Sequence, residues 1–263
     1  MTSVQGAVAS RRAPALGGLN LTLLRIEVRR LLRNRRTMLF TLIFPVFFFV
    51  LFGVVQKYDN LSVGHGNVSA YVMVSMALYG AVLASTSGGA MVSIERSQGW
   101  SRQLRLTPLS PAVYIVVKMI TALVLGGTSV AAVYIVGAVT GKPIMSPALW
   151  VATGLLTWVG SLVFAAFGLF MGYLLPTENV MQIMSFAIVL MAFAAGLFIP
   201  LRQFSPGLKT FAEFTPLYGL NQLVHAPLLR GGFDIVWLLN ALAWLVIFGA
   251  GAAWRFRADT KRV

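Results

Sequence analysis

The sequence predicts an all-α integral membrane protein with six transmembrane helices, and three observations carry that expectation. First, 58% of the 263 residues are hydrophobic and 11% are charged, with a mean hydropathy of +0.81; a soluble domain holds about half apolar and about a quarter charged residues. Second, the apolar residues gather into six runs, at about 38–55, 68–93, 112–140, 148–175, 180–199 and 235–254. Each is near or above the ~20 residues that a helix needs to cross a bilayer. Third, the basic residues lie beside these runs and mostly on one side of them. The chain therefore divides into a flexible cytoplasmic tail (1–18), an interfacial amphipathic helix (19–36), a six-span domain (37–256) and a short cytoplasmic tail (257–263).

The 21 Lys and Arg against 7 Asp and Glu give a net charge of +14. In a soluble protein such a balance points to nucleic acid. Beside apolar runs the expected partner is anionic lipid, and no nucleic acid is expected. The absence of cysteine excludes a disulfide framework, a thiol nucleophile and a thiolate metal site.

In chain order, residues Met1 to Gly18 are small and polar, with Arg11 and Arg12, and read as a disordered tail without a cleavable signal. From Leu19 to Arg36, Leu21, Leu24, Val28, Leu31 and Leu32 recur at three- and four-residue steps. Arg25, Arg29, Arg33 and Arg36 form an adjacent basic stripe, so this helix should lie flat on the inner leaflet with the arginines on lipid phosphates. A nucleic-acid patch is disfavoured because a span follows at once. That first span is dense in Phe and Leu, and Pro45 should kink it. The short loop from Gln56 to Asn67 holds His65, a lone solvated histidine rather than a ligand. The second span carries Ser85, Ser87, Gly88 and Gly89, which permit close helix packing.

Between the second and third spans lies a polar island, Glu95 to Pro111. Trp100, Gln103 and Leu104 fall within one helical turn, and Pro108 stops any helix there. On periodicity alone this is a solvated basic loop. The string Glu95-Arg96, Gly99-Trp100, Gln103-Leu104, Thr107-Pro108-Leu109 and Lys118, however, resembles the first cytoplasmic loop of ABC-2 type permeases, the membrane subunits of ATP-binding cassette exporters. The resemblance covers nearly the whole chain. It implies a coupling helix in this loop, with Glu95, Arg96, Trp100, Gln103 and Leu104 contacting a separate ATPase subunit, and a second permease chain completing the pathway as a homodimer or heterodimer. The interfacial helix has a counterpart in that family, and the daunorubicin-type variant of the loop leans toward drug-like substrates, that is, efflux and antibiotic resistance.

The third span begins near Lys118, whose amine is expected to snorkel to headgroups. Gly137, Gly141, Lys142 and Pro143 superficially resemble a phosphate loop, but the spacing is short and no strand precedes them. The fourth span has Gly168 and Gly172 four apart, a packing signal. Glu178, in the turn before the fifth span, is best placed near that helix's positive end. From Pro200 to Asp234, Pro206, Pro216 and Pro227 break a segment that is still apolar. A re-entrant or interfacial helical hairpin satisfies its backbone, and ABC-2 exporters carry a similar one on the outer side, which singles out Glu213 and Pro216. Glu213 and His225 lack a third polar partner for catalysis. The sixth span ends among Arg255, Arg257, Lys261 and Arg262.

Fifteen of the 21 basic residues fall on the side that holds both termini and the Glu95 loop, which places both ends in the cytoplasm. The chain has no nucleotide motif, so ATP and magnesium belong to the partner and this chain binds no cofactor and is no enzyme. The expected function is the pathway-forming subunit of an exporter for a hydrophobic or amphipathic compound, lipid or glycan, in a bacterial plasma membrane. The alternatives are an ion-coupled carrier, which wants ionisable residues in mid-span, and a lipid-modifying enzyme, which wants clustered acids; the seven acidic residues are scattered along the chain.

Overall fold

A computed structural model of the chain describes residues 20–57, 60–99, 110–175, 180–198 and 201–261. The helices are α1 (Leu21–Leu32), α2 (Arg35–Phe49, continued by a wider turn at Val50–Val54), α3 (Val68–Ser97), α4 (Pro111–Thr140), α5 (Pro147–Gly160), α6 (Leu162–Leu174), α7 (Val180–Ala194), α8 (Pro206–Glu213), α9 (Pro216–His225) and α10 (Ile235–Lys261). A two-stranded antiparallel hairpin, β1 (Ser62–Val63) and β2 (Gly66–Asn67), precedes α3. Five stretches are long and apolar enough to cross a membrane: Thr37–Val54, Val68–Ser97, Ala112–Thr140, Pro147–Leu174 and Ile235–Arg257. The expected fifth span, 180–199, is helical only over the 15 residues of α7. At 1.5 Å per residue that is roughly 22 Å, less than the ~30 Å of a bilayer core.

Helix boundaries follow short polar caps. Asn20, Asn34, Asn67, Ser110 and Ser146 each accept a hydrogen bond from a first-turn amide of α1, α2, α3, α4 and α5, satisfying one of the donors that a helix start leaves open. Proline follows directly at Pro111, Pro147, Pro206 and Pro216, where the missing N–H costs nothing. Gly141 ends α4 in the left-handed region, φ 63°, a conformation open to glycine at little cost. Asn34 interrupts the expected 19–36 helix: α1 stops at Leu32 and Arg36 already belongs to α2.

The bundle is built around α3, which packs against α2, α4, α6 and α7 and is buried along most of its length. Pro45 in α2 seats its ring against Gly80, where an added Cβ would lie 2.6 Å from Pro45 Cγ. Beyond it the hydrogen bonding widens, with Val55 N donating to Val50 O, a distortion of the kind proline provokes. Gly168 and Gly172 of α6 lie on α3: a methyl at Gly168 would overlap the Thr86 carbonyl and one at Gly172 would lie 3.2 Å from Ala90. Halfway along, the Pro147–Leu174 span breaks at Ser161. Ser85 donates to Ser161 Oγ (3.1 Å), which donates to Trp158 O (2.6 Å). The outward faces carry Phe40, Phe44 and Phe47 on α2, Phe186 and Leu190 on α7 and Val246 on α10, all exposed, as lipid-facing surfaces are.

α10 begins beside α8 and α9, where Asn240 donates to Glu213 O (3.0 Å) and Trp244 to Phe214 O (3.1 Å). It finishes at the opposite end, where Phe256 packs on Tyr114 and Tyr173. Between Pro200 and Asp234 the chain forms two short helices, α8 and α9, with Pro216 buried at the start of α9 and the Glu213 side chain exposed.

Candidate functional site

The last turn of α3 brings together charges from three helices. Glu27 and Glu95 are each 4% exposed and Lys118 is 2% exposed. Lys118 Nζ on α4 donates to Glu27 Oε2 of α1 (2.7 Å) and to Glu95 Oε1 of α3 (2.6 Å). Tyr114 OH donates to Glu95 Oε2 (2.5 Å). Arg30 of α1 pairs with Glu95 and lies 3.5 Å from Glu27. Two carboxylates thus face two cations, and the group is neutral as a whole, the condition under which charges tolerate burial. Burial opposes the charge on Arg30, but the Glu95 and Glu27 carboxylates more than offset it and hold its pKa above the ordinary guanidinium value.

This arrangement corrects the expectation for Lys118, which does not snorkel to headgroups but is buried between two carboxylates. Sequence reasoning missed Glu27, Arg30 and Tyr114 as members of the same group. A signal was present: the buried face of α1 runs Leu24, Glu27, Val28, Leu31, so an acid sits inside the apolar stripe, where a partner must neutralise it. Leu21 and Leu32, expected on that stripe, are exposed at 85% and 40%. Arg25, Arg29 and Arg33 form the expected exposed row; Arg36 lies on α2.

Arg96 turns the other way. Its Nη1 donates to Tyr173 O (2.9 Å) and Gly172 O (3.4 Å), and its guanidinium sits 5.5 Å from the centre of the Tyr173 ring. These are carbonyls of the last turn of α6, which a helix leaves open and whose partial negative charge favours a cation. α3 therefore ends in a junction with α1, α4 and α6, directly before the loop that starts at Gln98. Trp100, Gln103 and Leu104, expected to form the coupling helix, lie outside the described residues, as does Glu178. Glu213 and His225 are not brought together: one is exposed on α8 and the other is buried against α3.

The family described as ABC-2 type transporter matches residues 19–228, a range that takes in the junction and both of these short helices, α8 and α9. The chain is 30% identical over 227 residues to the Bacillus subtilis (strain 168) protein named "Putative transport permease YvfS", covering 84% of this chain and 90% of that one. With α1, the Glu95–Arg96 junction and the α8–α9 segment all inside the matched range, this chain belongs to the ABC-2 type transporter family, as a multi-pass membrane permease.

Proposed function

We propose that this permease forms the export pathway for a hydrophobic or amphipathic compound, driven by ATP hydrolysed with magnesium in a separate cassette subunit that docks on the 98–110 loop. Two permease chains, identical or paired with a relative, complete the pathway in a bacterial plasma membrane. The observation that carries the reading is the junction at Glu95 and Arg96. Force applied to the loop reaches α1 and α4 through Glu95 and α6 through Arg96, without a flexible linker between. A buried, hydrogen-bonded joint transmits displacement because packed interiors yield little.

The geometry also supports six crossings. α6 ends at the Arg96 end of the bundle, whereas α9 docks on the first turns of α3. In this reading the chain returns between them by way of α7 and the residues that follow it, which is supported by the bond from Asn221 of α9 to Ala195 O, just past the end of α7 (2.8 Å). α1 and the last turns of α10 then share the Glu95 end, in keeping with two cytoplasmic termini and with the 62–67 hairpin outside.

The test is co-purification of a cassette ATPase with Trp100→Ala and Leu104→Asp permeases, together with substrate-stimulated hydrolysis. Both variants should insert normally and lose ATPase binding or stimulation, since large central anchors dominate interface energetics. Full binding and full stimulation in both would reduce the loop to a solvated connection.

A further inference from the structure

At the opposite end of α3 from the charge group, α9 is packed through Leu217, Leu220 and Val224 into the core, and its polar contact with α3 is an imidazole. His225 is 1% exposed. Its Nδ1 lies 2.9 Å from Asn221 O, one turn back on its own helix, and its Nε2 lies 3.1 Å from Ser75 Oγ and 3.3 Å from Tyr71 O on α3. The ring sits 4.3 Å from the Tyr71 ring at 38°. A nitrogen facing only a carbonyl must carry its proton, so Nδ1–H donates to Asn221 O and Nε2 accepts from the Ser75 hydroxyl. In that tautomer the ring is neutral and both nitrogens are satisfied.

A second proton would enter at Nε2 and turn toward the Tyr71 carbonyl, leaving a positive charge in a joint with no anion. α5 and α7, which pack on α9, carry no charged residue. α8 contributes Lys209 and Glu213, both exposed. α10 carries its charged side chains beyond Trp254, at the far end; the 62–67 hairpin brings the exposed His65, whose backbone N–H donates to Leu228 O; and α3 presents Tyr71 here while Glu95 and Arg96 are about 36 Å away along the helix. Tyr218 shares α9 itself. No carboxylate among the described residues hydrogen-bonds to the imidazole.

We propose that His225 is a proton-sensitive latch, closed on α3 while neutral and released when Nε2 takes up a proton. α9 is ten residues long and does not span, so its release frees a hairpin and, through the Asn221 bond to Ala195 O, the end of α7. Burial pushes the imidazole pKa below its ordinary value, whereas a detached helix would expose an ordinary imidazole near 6.5. The detached state therefore binds more protons as pH falls. Docking is at full strength above about pH 6.5 and weakens below it.

The experiment follows deuterium exchange of residues 216–229 in nanodisc-embedded permease at pH 7.5 and 5.5, corrected for the intrinsic pH dependence of exchange. Because it needs neither the ATPase nor a substrate, its outcome is independent of the export reading. Protection should fall by about tenfold at pH 5.5, one proton across one pH unit, and His225→Gln should abolish the difference. Ser75→Ala removes the hydroxyl that favours the neutral ring and leaves the Tyr71 carbonyl, so release should move to higher pH. Equal protection at both values in the unmodified chain, or an undiminished fall in His225→Gln, would overturn the latch. Should His225→Gln not fold, a Ser75→Ala midpoint equal to that of the unmodified chain overturns it instead.

Discussion

Glu95 and Arg96 are consecutive residues held by different helices: Glu95 is bonded to Lys118 and Tyr114 of α4 and to Arg30 of α1, while Arg96 closes the last turn of α6. A helix advances about 100° per residue, so two neighbours at its end face different helices of the bundle. The last turn of α3 is a fork whose two tines respond differently to substitution.

Lys118→Met leaves Glu27 and Glu95 facing each other with Arg30 alone between them. Removing one partner of a buried charge pair costs about 3–5 kcal/mol, so the variant should unfold at clearly lower temperature in detergent. Adding Glu27→Gln should recover much of the loss, because one positive and one negative charge then leave together and the Glu95–Arg30 pair remains. A Lys118→Met protein as heat-stable as the parent would show that the group is not formed.

A change of charge does not act alike at the two positions. Glu95→Lys places three cations around Glu27 in a buried site and should abolish folded yield. Arg96→Gln removes a charge-assisted bond to helix-end carbonyls, worth about 1.5–3 kcal/mol, and should leave a folded permease whose partner ATPase is no longer stimulated by substrate. Size-exclusion profiles and ATPase assays on the same preparations read the two effects apart.

The exposed row Arg25, Arg29 and Arg33 is available to an anionic leaflet at about 1 kcal/mol per charge. Its triple replacement by Glu should reduce insertion, and the protein recovered should retain less anionic lipid by mass spectrometry. Normal yield with unchanged lipid retention would remove that role.

Gly168→Ala drives a methyl into the Thr86 carbonyl and should cost folded yield, whereas Gly207→Ala, which meets nothing within 4 Å, should behave as the parent does. Fluorescence-detected size exclusion of tagged variants compares the pair directly.

The spans were legible because bilayer length and apolar composition mark them almost without context: 68, 112, 148 and 235 each lie within a residue of an observed helix start. Gly168 and Gly172 were legible for the same local reason. What escaped was pairing between distant segments. Glu27, Arg30, Glu95, Tyr114 and Lys118 come from three stretches of the chain, and nothing in their spacing says that α1 folds back onto α4. The position of Lys118 near a span end fits the rule for snorkelling, whereas the carboxylates opposite it are visible only in three dimensions. Asn34 is a capping residue type, but the basic stripe continues through it and hides the break between α1 and α2. The 180–199 run shows the limit of hydropathy in the other direction. Its composition stays apolar to Ile199, yet the helix ends at Ala194, and Leu197 N turns back to Ala192 O.

The glycine seam between α3 and α6 also fixes which motions the molecule can use. A slide by one residue would bring Phe167 or Leu169 to the place where Gly168 meets the Thr86 carbonyl, so the two helices cannot shear past one another and must travel as one plank. α5, above the break at Ser161, is not bound by that seam. The break at Ser161 thus divides the Pro147–Leu174 span into a half locked to α3 by its glycines and a half, α5, that lies outside the lock.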